Sequence, residues 1–87
     1  MQLISHYFVT SFADWKAAFD ADVEARRNAG LTTLQIWQDA DSDTHAFVLQ
    51  SVNDRTRAQA WIDRSMALVS DDASTVTRET HFFINTA

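Results

Sequence analysis

The chain has 87 residues, a length that predicts one domain spanning 1–87 and burying only about 60–65% of its unfolded surface. Seven basic residues against twelve acidic ones give a net charge of −5, which argues against nucleic acid and anionic membranes as partners. Without cysteine, the chain cannot form a disulfide, a thiolate nucleophile or a zinc–thiolate site.

The beginning of the sequence gives no signal for export. The segment "MQLISHYFVT" lacks a basic region followed by a long apolar run, so it does not resemble a signal peptide. No stretch approaches the roughly 18 consecutive apolar residues of a transmembrane helix. We therefore expect a soluble, cytoplasmic protein that does not enter a membrane.

The first two predicted elements are a strand and a helix. Residues 3–10 are rich in β-branched and aromatic types, which favour a strand. Ser11, with Asp14 three residues later, is typical of a helix start. Gly30, the single glycine, suits the left-handed position that ends a helix, so we predict one helix over 12–28. Its apolar stripe consists of Phe12, Trp15, Phe19 and Val23.

Two strands, a second helix and a last strand follow. The strands cover 31–38 and 45–52, and the final strand covers 76–85. Asn53 or Asp54 is placed to cap the second helix. The apolar stripe of that helix consists of Ala58, Trp61, Ile62, Ser65, Leu68 and Val69.

The order β-α-β-β-α-β predicts an α+β, ferredoxin-like sandwich, in which two helices cover one face of a four-stranded antiparallel sheet. The second face should then be polar, yet the strands carry large apolar groups on both sides. Tyr7 and Phe8 point to opposite faces, as do Phe82 and Phe83. An uncovered apolar face is an interaction surface, so we predict a homodimer through the sheet, forming a dimeric barrel.

Three segments carry a resemblance to a known family: "FVTSFADWKAAFD" at 8–20, "RRNAG" at 26–30 and "QDADSDTHAFVLQSVNDRTRAQAW" at 38–61. The chain resembles the small dimeric α/β-barrel proteins of the ferredoxin-like class. It is most similar to the single-domain, cyclase-like proteins of uncharacterised function near the antibiotic-biosynthesis monooxygenases. The resemblance implies a dimer whose sheets enclose a barrel, with a small organic molecule bound between sheet and helices.

The resemblance does not extend to the residues that oxygenases of this superfamily typically use. Those enzymes carry an Asn on an early strand, with Trp and His further along. Here the first strand has no Asn, and neither predicted helix contains a His, although Trp61 lies on the second helix. The resemblance therefore implies the fold more than it implies oxygenase activity.

The segment "QDADSDTH" places aspartates at alternate positions, as in a calcium-binding loop. An EF-hand loop needs Gly at its sixth position and Glu at its twelfth. Counted from Asp39, these positions hold Thr44 and Gln50. We predict instead a solvated hairpin turn whose side chains cap their own backbone.

Two histidines and a glutamate give the main candidate site. If the first and last strands pair antiparallel, His6 and His81 lie at matching distances from the strand ends, and Glu79 shares a face with His81. This composition suits a polar ligand pocket, an acid–base site or an iron-binding facial triad. We favour the pocket, with no metal and no cofactor. The alternative is a pair of half-buried histidines that bind only neighbouring groups.

Tyr7, Trp15 and Trp61 complete the candidate ligand site, because aromatic side chains there could stack on an organic molecule. The sequence thus favours a homodimer that binds a small organic molecule. One alternative is a non-catalytic dimeric module with a structural or regulatory role. Another is a cofactor-free monooxygenase or a cyclase- or isomerase-like enzyme.

Overall fold

A computed structural model describes residues 1–71 and 75–87, except for the side chains of residues 69–71. In this part of the chain the strands form one antiparallel sheet in the order β2-β3-β1-β4, which confirms the predicted ferredoxin-like fold. The elements are β1 (Gln2–Val9), α1 (Phe12–Ala21), α2 (Val23–Asn28), β2 (Leu31–Gln38), β3 (His45–Val52), α3 (Arg55–Asp71) and β4 (Val76–Ile84).

The prediction of one continuous helix over 12–28 is wrong, because the helix breaks at Asp22. The carbonyl of Phe19 accepts hydrogen bonds from the Asp22 N–H, at 3.2 Å, and from the guanidinium of Arg26. The bond to Asp22 closes α1 with an i→i+3 turn, so a new helix begins there. Val23 is consequently 45% exposed, and Arg26 is the buried residue of α2.

The predicted helix ends are confirmed. The Ser11 hydroxyl accepts a hydrogen bond from the Asp14 N–H at 3.4 Å, and the Asp54 carboxylate accepts one from the Arg57 N–H at 3.0 Å. Gly30 has a φ of 73°. This left-handed conformation turns the chain from α2 into β2 and is the reason for the glycine.

The core fills the space between the helices and one face of the sheet. Side chains alternate along β1, so those facing the helices are buried and those between them are only half-buried. From α3, Ala58, Trp61 and Ile62 are buried as predicted, whereas Leu68 is exposed. Val69, also predicted for this stripe, lies outside the described side chains.

Among the residues that the structure describes, no helix covers the opposite sheet face, and this face carries apolar side chains, in agreement with the sequence pattern. Phe82 is 61% exposed and Trp37 is also largely exposed. Ile4 and Phe8 on β1 are half-buried. We call this surface the open face.

In the described part of the chain, no helix has both the length and the apolar character needed to cross a bilayer.

Candidate functional site

A cleft of about 490 Å³ lies between the helix-facing side of the sheet and all three helices. Three of the predicted ligand-binding aromatics, Tyr7, Trp15 and Trp61, line it together. The helical spacing of Trp15 and Phe19 places both rings on the side of α1 that faces the sheet. The Trp15 ring centroid lies 5.2 Å from that of Tyr7 and 4.9 Å from that of Phe19. The wall is therefore a continuous aromatic surface.

A chain of hydrogen-bonded polar side chains runs beside the cleft. The register of β1 and β4 places Ser5 opposite His81 and Tyr7 opposite Glu79. The Ser5 hydroxyl lies 2.6 Å from His81 Nδ1, and His81 Nε2 lies 3.1 Å from Glu79 Oε1. From α3, the Ser65 hydroxyl donates to Glu79 Oε2 at 3.2 Å. The imidazole and the carboxylate are 4% and 2% exposed, so water hardly competes for these bonds.

The direction of these hydrogen bonds depends on the tautomer of the His81 imidazole, and the case of an ionised Glu79 with a neutral His81 is the following. An ionised carboxylate only accepts hydrogen bonds, so His81 Nε2 carries the hydrogen that binds Glu79. In the neutral imidazole, Nδ1 is then an acceptor, and the Ser5 hydroxyl donates to it. Of the four hydrogen-bonded groups, Glu79 and Ser65 line the cleft, whereas His81 and Ser5 are not among its lining residues. His81 and Ser65 thus orient a carboxylate that a bound molecule would meet.

Tyr7 supplies a hydroxyl that stays protonated. Burial raises the pKa of the Tyr7 phenol strongly, and the nearby charge of Glu79 raises it further. A hydrogen bond with Ser5 and the positive charge of Arg26 act in the opposite direction but are smaller. Tyr7 therefore enters any interaction with a ligand as a neutral phenol.

The prediction that His6 shares a face with His81 is wrong. His6 pairs with Thr80 across β1 and β4, one residue out of step with the Ser5–His81 pair. Because side chains alternate along a strand, this single step places His6 on the open face. There His6 Nε2 lies 3.0 Å from His45 Nδ1, and its ring stacks on Phe47 at a centroid distance of 4.4 Å. His6 is outside the cleft, whereas Glu79 and His81 share a face as predicted.

Charged neighbours surround His6 on the open face. Burial lowers the pKa of His6, the electrostatic influence of His45 and Arg78 lowers it further, and the charge of Asp39 raises it. The neutral imidazole is thus the favoured form in the folded protein.

Arg26 is a cleft residue that the sequence reasoning missed. Its guanidinium stacks on the Phe19 ring, 3.6 Å from the ring centroid, and donates to the Phe19 carbonyl. Burial lowers its pKa, although arginine remains charged at any ordinary pH. The available signal was its position, seven residues after Phe19 on the same helical stripe. In the sequence, the Arg26–Arg27 pair is typical of the last turn of a helix, where cations suit the helix dipole.

The acidic segment between β2 and β3 forms the predicted turn. The Asp41 N–H donates to the Asp39 carboxylate at 2.8 Å, and the Thr44 N–H donates to the Ser42 hydroxyl at 3.1 Å. These are local bonds of the kind that stabilise turns. Across residues 1–71 and 75–87, no three His, Cys, Asp or Glu side chains are grouped closely enough to hold a metal ion.

Several solved structures share this architecture over nearly the whole chain. PA3566 from Pseudomonas aeruginosa has a TM-score of 0.68 at 12% identity, covering 99% of this chain and 93% of its own. A Bacteroides thetaiotaomicron protein, assigned by name to the antibiotic biosynthesis monooxygenases, has a TM-score of 0.66 at 12% identity and coverages of 99% and 88%. An uncharacterised NIPSNAP domain protein from Burkholderia xenovorans has a TM-score of 0.65 at 10% identity and coverages of 100% and 95%.

The chain has the ferredoxin-like fold of these proteins. Two of its structural neighbours carry the name of the antibiotic biosynthesis monooxygenases: the Bacteroides protein and one from Deinococcus radiodurans, which has a TM-score of 0.57 at 14% identity and coverages of 98% and 94%. They confirm the resemblance seen in the sequence at the level of the fold. No protein-family model matches the chain, and a search of curated proteins finds no significant similarity. The function must therefore be argued from the site itself.

Proposed function

We propose that this protein binds a small, largely apolar organic molecule in the cleft between sheet and helices. The observation that supports this most is the cleft itself, whose volume of about 490 Å³ falls within the range of roughly 300–1,000 Å³ typical of ligand sites. Aromatic walls with a few oriented polar groups are the usual composition of such sites. Two structural neighbours carry the name of a monooxygenase group that acts in antibiotic biosynthesis, which is compatible with an organic ligand.

A cleft-filling substitution tests this proposal. Ala17 and Ala18 are neighbouring exposed residues of α1, and of the two only Ala18 lines the cleft. Ala18→Phe should abolish the binding of a planar bicyclic probe such as 2-naphthoate, and Ala17→Phe should leave it unchanged. Isothermal titration calorimetry measures both. Equal binding by wild type and Ala18→Phe would show that the probe binds elsewhere. No binding by the wild type to a panel of such probes would favour the non-catalytic module instead.

A second candidate function is proton-transfer catalysis, as in a cyclase, an isomerase or a cofactor-free oxygenase. It is favoured by Glu79, a buried carboxylate that lines the cleft and is held by His81 and Ser65. A base oriented in this way is suited to removing an acidic C–H proton. Deuterium exchange into a bicyclic ketone such as 2-tetralone, followed by NMR, tests for it. Glu79→Gln should abolish the exchange while preserving binding; exchange that survives this substitution excludes Glu79 as the base.

We also propose that the protein forms a homodimer, and the open face supports this. Its exposed apolar side chains, Phe82 and Trp37 among them, would be covered by the same face of a second copy. Such an interface should bury toward or above about 2,000 Å² in total. Sedimentation velocity at micromolar concentration should show a dimer that Phe82→Asp dissociates. Ala60→Asp, on the exposed side of α3, is the matched control. A monomeric wild type would contradict the dimer.

A further inference from the structure

Arg26 is a buried cation without a charged partner in the described part of the chain. It is 4% exposed. Lys16, Arg27 and Arg57 each form an ion pair with a neighbouring carboxylate, yet no described carboxylate pairs with Arg26. Burying a charge is costly unless the charge is paired, so an unpaired buried guanidinium is a candidate binding group for an anion.

The surroundings of Arg26 leave room for that anion on the cleft side. One guanidinium N–H donates to the Phe19 carbonyl and one face of the group covers the Phe19 ring. A guanidinium has five N–H donors, so others remain for a ligand. Asp22 and Asp20 raise the pKa of Arg26 through space but form no ion pair with it. Because Arg26 lines the cleft, a bound molecule can reach its free edge.

The cleft is also electrically polar. Glu79 lies on the sheet side, and both of its oxygens already accept hydrogen bonds, from His81 and Ser65. An anionic group would be repelled there and attracted to Arg26 on the helix side, where Asp22 also lines the cleft but forms no ion pair with Arg26. Tyr7, whose pKa is raised by Glu79 and lowered by Arg26, supplies an aromatic surface for the apolar body of the ligand. This arrangement sets the orientation of the ligand as well as its charge.

We propose that the ligand of this cleft is an organic monoanion, a planar aromatic carboxylate, and that Arg26 is the specificity-determining residue that binds its charged group. The inference rests on the proposed ligand-binding function and narrows it to a class. A single guanidinium matches the geometry of one carboxylate, since two parallel N–H groups can bind its two oxygens.

Two probes of equal shape and different charge test the inference. In the wild type, 2-naphthoate should bind about tenfold or more tightly than the neutral 2-naphthamide. A hydrogen bond between two charged groups is stronger than one to a neutral amide by about the free energy of a tenfold change in affinity. Arg26→Gln should remove this preference and leave the affinity for the amide within about twofold. Arg27→Gln is the matched control, because Arg27 is the exposed neighbour and pairs with Glu24. It should change neither affinity.

The outcomes separate this inference from the function on which it rests. If the wild type binds the amide as tightly as the carboxylate, the cleft binds organic molecules but Arg26 does not select an anion. If the wild type binds neither probe nor related bicyclic molecules, the ligand-binding function itself is refuted. If Arg26→Gln fails to fold, the comparison of the two probes in the wild type still shows whether the cleft prefers the carboxylate over the amide. Arg26→Lys, which keeps the charge but loses the planar fork, should then bind the carboxylate more weakly than the wild type does.

Discussion

Replacing His81 with alanine should destabilise the protein by about 2–4 kcal/mol. The substitution removes two buried hydrogen bonds, one to the Ser5 hydroxyl and one to the Glu79 carboxylate, each worth about 1 kcal/mol net. The carboxylate then keeps only the bond from Ser65, and an incompletely paired buried charge adds a further cost of about 1–2 kcal/mol. The space left beside the Tyr7 ring, whose centroid lies 5.6 Å from that of His81, also lowers stability.

The matched control is His6→Ala, because the two histidines looked alike in the sequence and lie on opposite faces of the sheet. His6 is only partly buried, so its loss should cost about 1 kcal/mol or less in dilute protein, where a dimer contributes least. Urea unfolding followed by tryptophan fluorescence gives both free energies of unfolding. If His81→Ala lowers the free energy of unfolding by no more than His6→Ala does, the buried hydrogen bonds of His81 with Ser5 and Glu79 are refuted.

Four further predictions concern other parts of the structure and can be tested by thermal or urea unfolding. Gly30→Ala should lower the free energy of unfolding by about 1–3 kcal/mol, because a φ of 73° strains an L-residue and the added Cβ would lie 3.1 Å from the backbone nitrogen of Asp54. Gly30→Asn should lower it less, because asparagine tolerates this φ. Gln50→Met should stabilise the protein by about 1 kcal/mol, since the buried amide has no hydrogen-bond partner among the described residues, and a loss of stability would show that a partner exists. The pKa of His6 is lower in the folded protein than in the unfolded chain, so the unfolded chain binds a proton first as the pH falls through 6.5. Acidification should therefore reduce the free energy of unfolding more in the wild type than in His6→Phe. Equal reductions in the two proteins would contradict the sign of the pKa shift. Calcium should leave the melting temperature unchanged, both in the wild type and after exchange to asparagine of Asp39, Asp41 and Asp43.

Local patterns were sufficient to predict the strands, the helix ends and the architecture. Gly30 illustrates why: a single glycine between a helical stripe and a strand has a strong conformational reason to be there, and that reason does not depend on distant contacts. The position of Trp15 in the cleft followed in the same way, from helical spacing alone.

The parts that were missed depend on contacts between distant residues. The face that His6 occupies is set by the register of β1 against β4, two strands more than 70 residues apart, and a step of one residue reverses it. At the break, the Phe19 carbonyl accepts hydrogen bonds from the Asp22 N–H and from the Arg26 side chain, and the apolar stripe of the sequence predicts neither bond. Arg26 itself was overlooked because charged residues are almost never buried without a partner.

The central claim, that the cleft binds an organic molecule, is tested most directly by NMR, because the positions of the three tryptophans provide an internal control. Trp15 and Trp61 line the cleft, whereas Trp37 lies on the open face. Titration of the ¹⁵N-labelled wild-type protein with 2-naphthoate should shift the indole N–H signals of Trp15 and Trp61 and leave that of Trp37 in place. A shift confined to Trp37, or no shift at all with this or any related bicyclic probe, would contradict the account.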